Sequence, residues 1–169
     1  TYYELFASGA PVVIAKTTPT TVDDYLAMAK GSLDIKGREK TVIRLAEQSL
    51  RLQPTGTAYT LRGYAKNSLG DHKGAIDDYN KVIEIHPEFF VVYISRGIAK
   101  GMSKDYHGAI DDLNKAIESG AEYGKPGATY WILGRIKSIG LENHQGAIAD
   151  FNKAIAINPQ FALAYYNRG

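Results

Sequence analysis

One ten-residue phrase recurs three times in the chain, as GAIDDYNKVI from Gly74, GAIDDLNKAI from Gly108 and GAIADFNKAI from Gly146. Upstream of each copy lies a glycine, and Gly63, Gly97, Gly134 and Gly169 follow one another at spacings of 34, 37 and 35 residues. Ala75 falls on Ala109 and Ala147, and Pro87 on Pro159. Self-similarity at this period marks a repeat array. Each unit of such an array packs only on its neighbours, so the chain is constrained to a quasi-linear stack without a central core.

Each copy decodes as two helices. In the first, Tyr59 and Gly63 are four apart, as are Tyr93 and Gly97, Tyr130 and Gly134, and Tyr165 and Gly169. That spacing puts an aromatic bump beside a glycine notch on one face, where a second helix can come close. In the second helix Ala75, Tyr79, Val82 and Ile85 form one buried stripe, repeated by Ala109, Leu113 and Ala116 and by Ala147, Phe151, Ala154 and Ile157. Pro87 and Pro159 end their helices, because proline cannot continue one. Leu69-Gly70-Asp71 and Ile139-Gly140-Leu141 place a glycine where a helix-ending turn is expected.

The pattern of Tyr59, Gly63, Ala75, Tyr79, Val82 and Pro87 with their equivalents resembles the tetratricopeptide repeat (TPR) family, over roughly Asp23 to the C-terminus. The resemblance implies an all-α fold, an α-solenoid of antiparallel helix pairs wound as a right-handed superhelix. On this reading residues 1–21 are an N-terminal extension or linker and 22–55 a degenerate helix pair. Three repeats follow at 56–89, 90–126 and 127–161, and 162–169 begin a further one. The second repeat departs from the pattern in a longer connection, Ser119 to Gly127, and the third has one extra residue in its inner turn. The degenerate pair carries Lys30 where the glycine would stand, and Thr21 with Asp24 has the spacing of a helix N-cap.

Chemistry is sparsely represented. The chain has no cysteine, which removes disulfides and thiolate sites and leaves the compartment open. His72, His107 and His144 occupy the inner turns of successive repeats. A shared metal needs ligand nitrogens within about 2 Å of one ion, whereas packed helices stand about 8–10 Å apart. They read as exposed turn residues, and His86 as a helix-end cap. Asp77-Asp78 and Asp111-Asp112 suggest paired carboxylates, but Asp77 with Lys81 and Asp111 with Lys115 have the spacing of surface ion pairs. The expectation is a solvated convex ridge. Gly31, Gly37, Gly70 and Gly101 read as isolated helix-end or turn glycines, not as a phosphate loop. No enzyme, no cofactor and no metal site is expected.

The resemblance also implies a concave groove lined by the first helices. Its matching positions here are Thr57, Thr60, Tyr64 and Asn67, then Val91, Ile94, Ile98 and Met102, then Ala128, Trp131, Arg135 and Ile139. The expected partner-binding residues are Thr60, Tyr64, Asn67, Val91, Ile94, Ile98, Met102, Trp131, Arg135 and Ile139. Apolar side chains surround the two later first helices nearly all round, as in helices that something else covers. The two-carboxylate clamp of chaperone-binding relatives is missing, since Thr60, Leu61, Tyr64, Val91 and Ser95 occupy its places. With a net charge of +2 the chain lacks the basic footprint of a nucleic-acid binder. No apolar run is long enough to span a bilayer.

The expected function is therefore a protein–protein interaction scaffold that grips an apolar or amphipathic peptide or helix. The alternative is a structural assembly factor or self-associating module, of the kind found among photosystem assembly proteins, joined through an open C-terminal repeat. A regulatory piece of a larger enzyme is a third reading. The N-terminal segment, with Tyr2, Tyr3, Leu5, Phe6, Val12, Val13 and Ile14, is expected either to cap the first pair or to block the groove.

Overall fold

The computed structural model describes residues 19–33 and 35–169. The expectations for Tyr2 to Ile14 fall outside these residues. The described residues form nine helices and no strand: α1 (Val22–Leu33), α2 (Glu39–Leu52), α3 (Gly56–Ser68), α4 (His72–Ile85), α5 (Phe90–Met102), α6 (Tyr106–Glu118), α7 (Ala128–Leu141), α8 (His144–Ile157) and α9 (Ala162–Arg168). They pack as four pairs, α1 with α2 through α7 with α8, and each pair packs on the next. The first helices α1, α3, α5 and α7 also touch in succession and so line one face of the stack. The fold is an all-α solenoid.

Local chemistry sets the helix starts. Thr21 and Asp24 exchange hydrogen bonds, Asp24 N–H to Thr21 Oγ1 at 3.2 Å and Thr21 N–H to Asp24 Oδ2 at 3.0 Å. This reciprocal capping box satisfies donors that the helix leaves unpaired. Hydrogen bonds from Thr20 and then Thr21 hold the Asp24 carboxyl below its ordinary value. Each second helix of the three full repeats uses another cap. Asp71, Asp105 and Asn143 accept from the backbone N–H of Gly74, Gly108 and Gly146 at 2.9, 3.0 and 2.9 Å. The cap residue three before the recurring phrase is thus part of the repeat.

The core follows the stripes. Ala75, Tyr79 and Val82 are buried, as are Ala109, Leu113 and Ala116, and Ala147, Phe151 and Ala154. Ile85 and Ile157, at the ends of their stripes, remain exposed. The glycine notches receive side chains from the paired helix. A Cβ at Gly63 would lie 2.9 Å from the Tyr79 ring, and one at Gly134 2.7 Å from that of Phe151. Notch and ring together set the close approach of these two pairs, while Gly97 of α5 meets Leu113 and the Ala109 carbonyl.

Gly31 and Gly101 lie in the last turns of α1 and α5, close to the helix ends expected of them, but one glycine expectation needs correction. Gly140 lies inside its helix, which runs to Leu141 and turns at Glu142 with φ +52°. A Cβ at Gly140 would clash with the Tyr106 ring, so this glycine makes room for an aromatic ring instead of turning the chain. Gly70, with φ +86°, is a helix-end glycine as expected.

The acidic pairs also divide differently from the sequence expectation. Asp77 and Asp111 are exposed, but Asp78, Asp112 and Asp150 are buried between paired helices. Arg62 reaches Asp78 at 2.6 Å and Lys66 at 2.9 Å, and Arg96 and Lys100 reach Asp112 at the same distances. In the third repeat Leu133 stands at the arginine position, and Lys137 alone comes within close range of Asp150, at 2.6 Å. The Asp78 bond in turn raises the Arg62 pKa above its ordinary value. Lys81 pairs with Glu84 at 2.7 Å instead of with Asp77.

Candidate partner-binding site

The face lined by the first helices carries the residues expected to meet a partner. Tyr64 on α3 is 43% exposed, and Val91 and Met102 on α5 are 37% and 57% exposed. Ile139 on α7 reaches 69%, an unusual exposure for an isoleucine in a folded chain. Thr60 and Asn67 are half-buried and already bonded. Thr60 Oγ1 donates to the Gly56 carbonyl at 2.8 Å, and Asn67 Oδ1 lies 2.7 Å from His72 Nδ1.

Two of the expected residues are engaged within the stack. Ile94 is fully buried and packs with Tyr93, Leu113, Ala116 and Leu133. It belongs to the core and offers no surface, because the all-round apolar character of α5 is met on this side by α6 and α7. Trp131 is half-buried against α9 and its N-cap residue. Its ring centroid lies 5.8 Å from that of Phe161, and its Nε1–H donates to Asn167 Oδ1 at 2.7 Å. Much of this indole therefore joins successive repeats.

Ile98, Met102, Arg135 and Ile139 converge. With Tyr106, Ile132, Ile136 and the backbone of Gly101 and Gly140 they line a hollow of about 280 Å³ between α5, α6 and α7. Close approach of the walls is fixed at Gly101, where a Cβ would stand 3.2 Å from Ile136 Cδ1. Tyr106 was not singled out by the sequence, and Ile136 counts there only among the apolar side chains of its helix. The signal for Tyr106 was its place two residues before Gly108, at the start of the second helix and facing the extra residue of the third repeat.

Arg135 differs from the other cations on these helices. In α3, α5 and α7, Arg62, Lys66, Arg96, Lys100 and Lys137 all pair with a buried aspartate. Arg135 is exposed, pairs with no carboxylate among the described residues, and stacks its guanidinium 5.0 Å from the Trp131 ring centroid. No group of three or more histidine, aspartate and glutamate side chains among the described residues is placed to hold a metal. His107 and His144 are exposed. No helix among the described residues is long and apolar enough to cross a membrane.

Paired helices stacked around an open inner face define the α-solenoid class, whose members scaffold contacts between proteins. The chain carries tetratricopeptide repeats: the tetratricopeptide repeat model matches residues 56–89, and a second TPR repeat model matches 141–169. Solved structures share the architecture. MamA (residues 41 to the end) from Desulfovibrio magneticus RS-1 superposes with a TM-score of 0.77 at 19% identity, covering 90% of this chain and 84% of that one. Another MamA structure gives 0.70 at 26% identity, over 79% and 76% of the two chains. YrrB, described as a TPR protein with an unusual peptide-binding site, gives 0.73 at 19% identity, over 86% and 73%. No curated protein matches the chain in sequence.

Proposed function

We propose that the chain holds an apolar or amphipathic segment of a partner protein against its inner face, at α3, α5 and α7. One observation carries this reading: Val91, Met102 and Ile139 are exposed on that face, and the last two flank the hollow between the second and third repeats. Burying one such side chain contributes about 1.5–3 kcal/mol. Three or four would support micromolar binding after the cost of association. YrrB, of the same fold, offers a precedent for peptide binding on such a scaffold.

The test is site-specific photocrosslinking in native extract, with the photoreactive residue at Met102 or Ile139 and, as controls, at Lys81 or Asn114 on the exposed side of the second helices. Adducts from Met102 and Ile139 alone support the inner face. Adducts from the control sites alone transfer the function to the outer ridge. A second reading, assembly of copies of this chain, is favoured by Leu163 and Tyr166 of α9, which are 52% and 81% exposed. Sedimentation with a mass that rises with concentration, and falls back in Tyr166→Glu, would support it.

A further inference from the structure

The hollow between α5, α6 and α7 combines two features that point to one ligand chemistry. Ile98, Met102, Ile132, Ile136 and Ile139 give it apolar walls. Among the described residues its one charged lining group is Arg135, and no carboxylate lines it. Its volume of about 280 Å³ lies just below the roughly 300–1,000 Å³ of small-molecule sites. It suits one or two side chains delivered by a polypeptide better than a free cofactor.

Arg135 supplies the second half of the argument. The remaining cations of α3, α5 and α7 are neutralised by Asp78, Asp112 or Asp150, so their charge is spent inside the repeats. Among the described residues no carboxylate neutralises the Arg135 guanidinium, which lies beside an apolar wall, 5.0 Å from the Trp131 ring centroid. A stacked guanidinium has its plane and fork fixed in advance, which favours bidentate capture of a carboxylate. The low polarity of Met102 and Ile139 beside it would strengthen that pairing once water is displaced.

We infer that this hollow recognises a partner segment carrying a large aliphatic or aromatic side chain with an aspartate or glutamate close by. The apolar side chain enters between Met102 and Ile139, and the carboxylate meets Arg135. This rests on the inner-face reading above and adds to it a charge requirement at one residue. The occupant is an acidic side chain of a partner protein, because the walls exclude a wholly polar ligand and the cation disfavours a basic one.

The experiment is selection of a displayed random twelve-residue peptide library on the full chain, on Arg135→Glu and on Met102→Glu. Circular dichroism melts confirm that both variants fold, as the exposure of both side chains leads one to expect. The parent should enrich peptides with a large apolar residue within about one helical turn of aspartate or glutamate. Arg135→Glu should select lysine or arginine in that place, and should bind the parent's peptides at least tenfold more weakly by fluorescence anisotropy. Met102→Glu should lose both sets. Apolar peptides without a charge preference, selected alike by the parent and by Arg135→Glu, would overturn the inference and leave the inner-face reading intact. Peptides that still bind Met102→Glu, or no enrichment at all, would overturn both.

Discussion

At the scale of single residues, the two members of each acidic pair have opposite fates. Asp111 is exposed while Asp112 is buried with Arg96 and Lys100 within 2.6 and 2.9 Å. Removing one partner of a buried ion pair leaves an uncompensated charge and costs about 3–5 kcal/mol. Asp112→Ala should therefore lose about that much in urea unfolding. Asp111→Ala should stay within about 0.5 kcal/mol of the parent, as exposed positions do. Equal losses would show that the buried network carries no special weight. Sequence reading missed this division because adjacent aspartates look alike until the helix is oriented. The clue was present in the first helices, where Arg62 and Lys66 recur as Arg96 and Lys100, each pair four apart and so able to converge on one acceptor.

At the scale of elements, the junction of the second and third repeats differs from the junctions on either side of it. Arg96 on α5 donates to Asn80 on α4 at 2.6 Å, and Arg168 on α9 donates to Asn152 on α8 at 3.0 Å. Between α6 and α7 the corresponding tie is missing, because Leu133 replaces the arginine. The connection there, residues 119–127, contains Gly120, Gly124 and Gly127, all at positive φ, and α6 packs on α7 more sparsely than α4 on α5. The stack should bend most easily at this joint. Spin labels on cysteines introduced at Glu118 and Ala156 should give a broader distance distribution than labels at Glu84 and Glu118, and the native chain adds no competing cysteine. Equal widths would refute the joint. The longer connection was legible in the sequence, and so was the extra residue of the third repeat. The hollow was not, because it arises where three helices, α5, α6 and α7, meet in space and Gly140 admits the Tyr106 ring.

At the scale of the whole molecule, the fold was readable because the same instructions are written three times over. Tyr79, Leu113 and Phe151 occupy one register, so each copy supports the reading of the others. The inner face was legible only as a list of positions. Ile94 and Ile98 share a helix and a chemistry, yet one is sealed by the neighbouring repeat and the other borders the hollow. Only packing of three helices decides between them. The core is divided correspondingly into successive clusters, Leu26 to Ala65 at one end and Ala128 to Ala164 at the other. Damage should stay local in such a stack. Leu45→Ala, which empties a fully packed site, should cost about 2–5 kcal/mol and speed amide exchange in α1, α2 and α3, with α7 and α8 near parental protection. Uniform acceleration along the chain would instead show that the stack unfolds as one cooperative body.

The caps at Asp71, Asp105 and Asn143, the buried aspartates and the glycine notches all lie within the unit they organise. Every repeat thus brings along the information needed to build it, and little is delegated to distant parts of the chain. A gene of this kind can be lengthened or shortened by unequal recombination in whole repeats, and the product remains a working stack. Variation then accumulates at the seams. There one lost arginine or one longer connection changes how two inherited copies meet, and a surface with no ancestor in either copy comes into being.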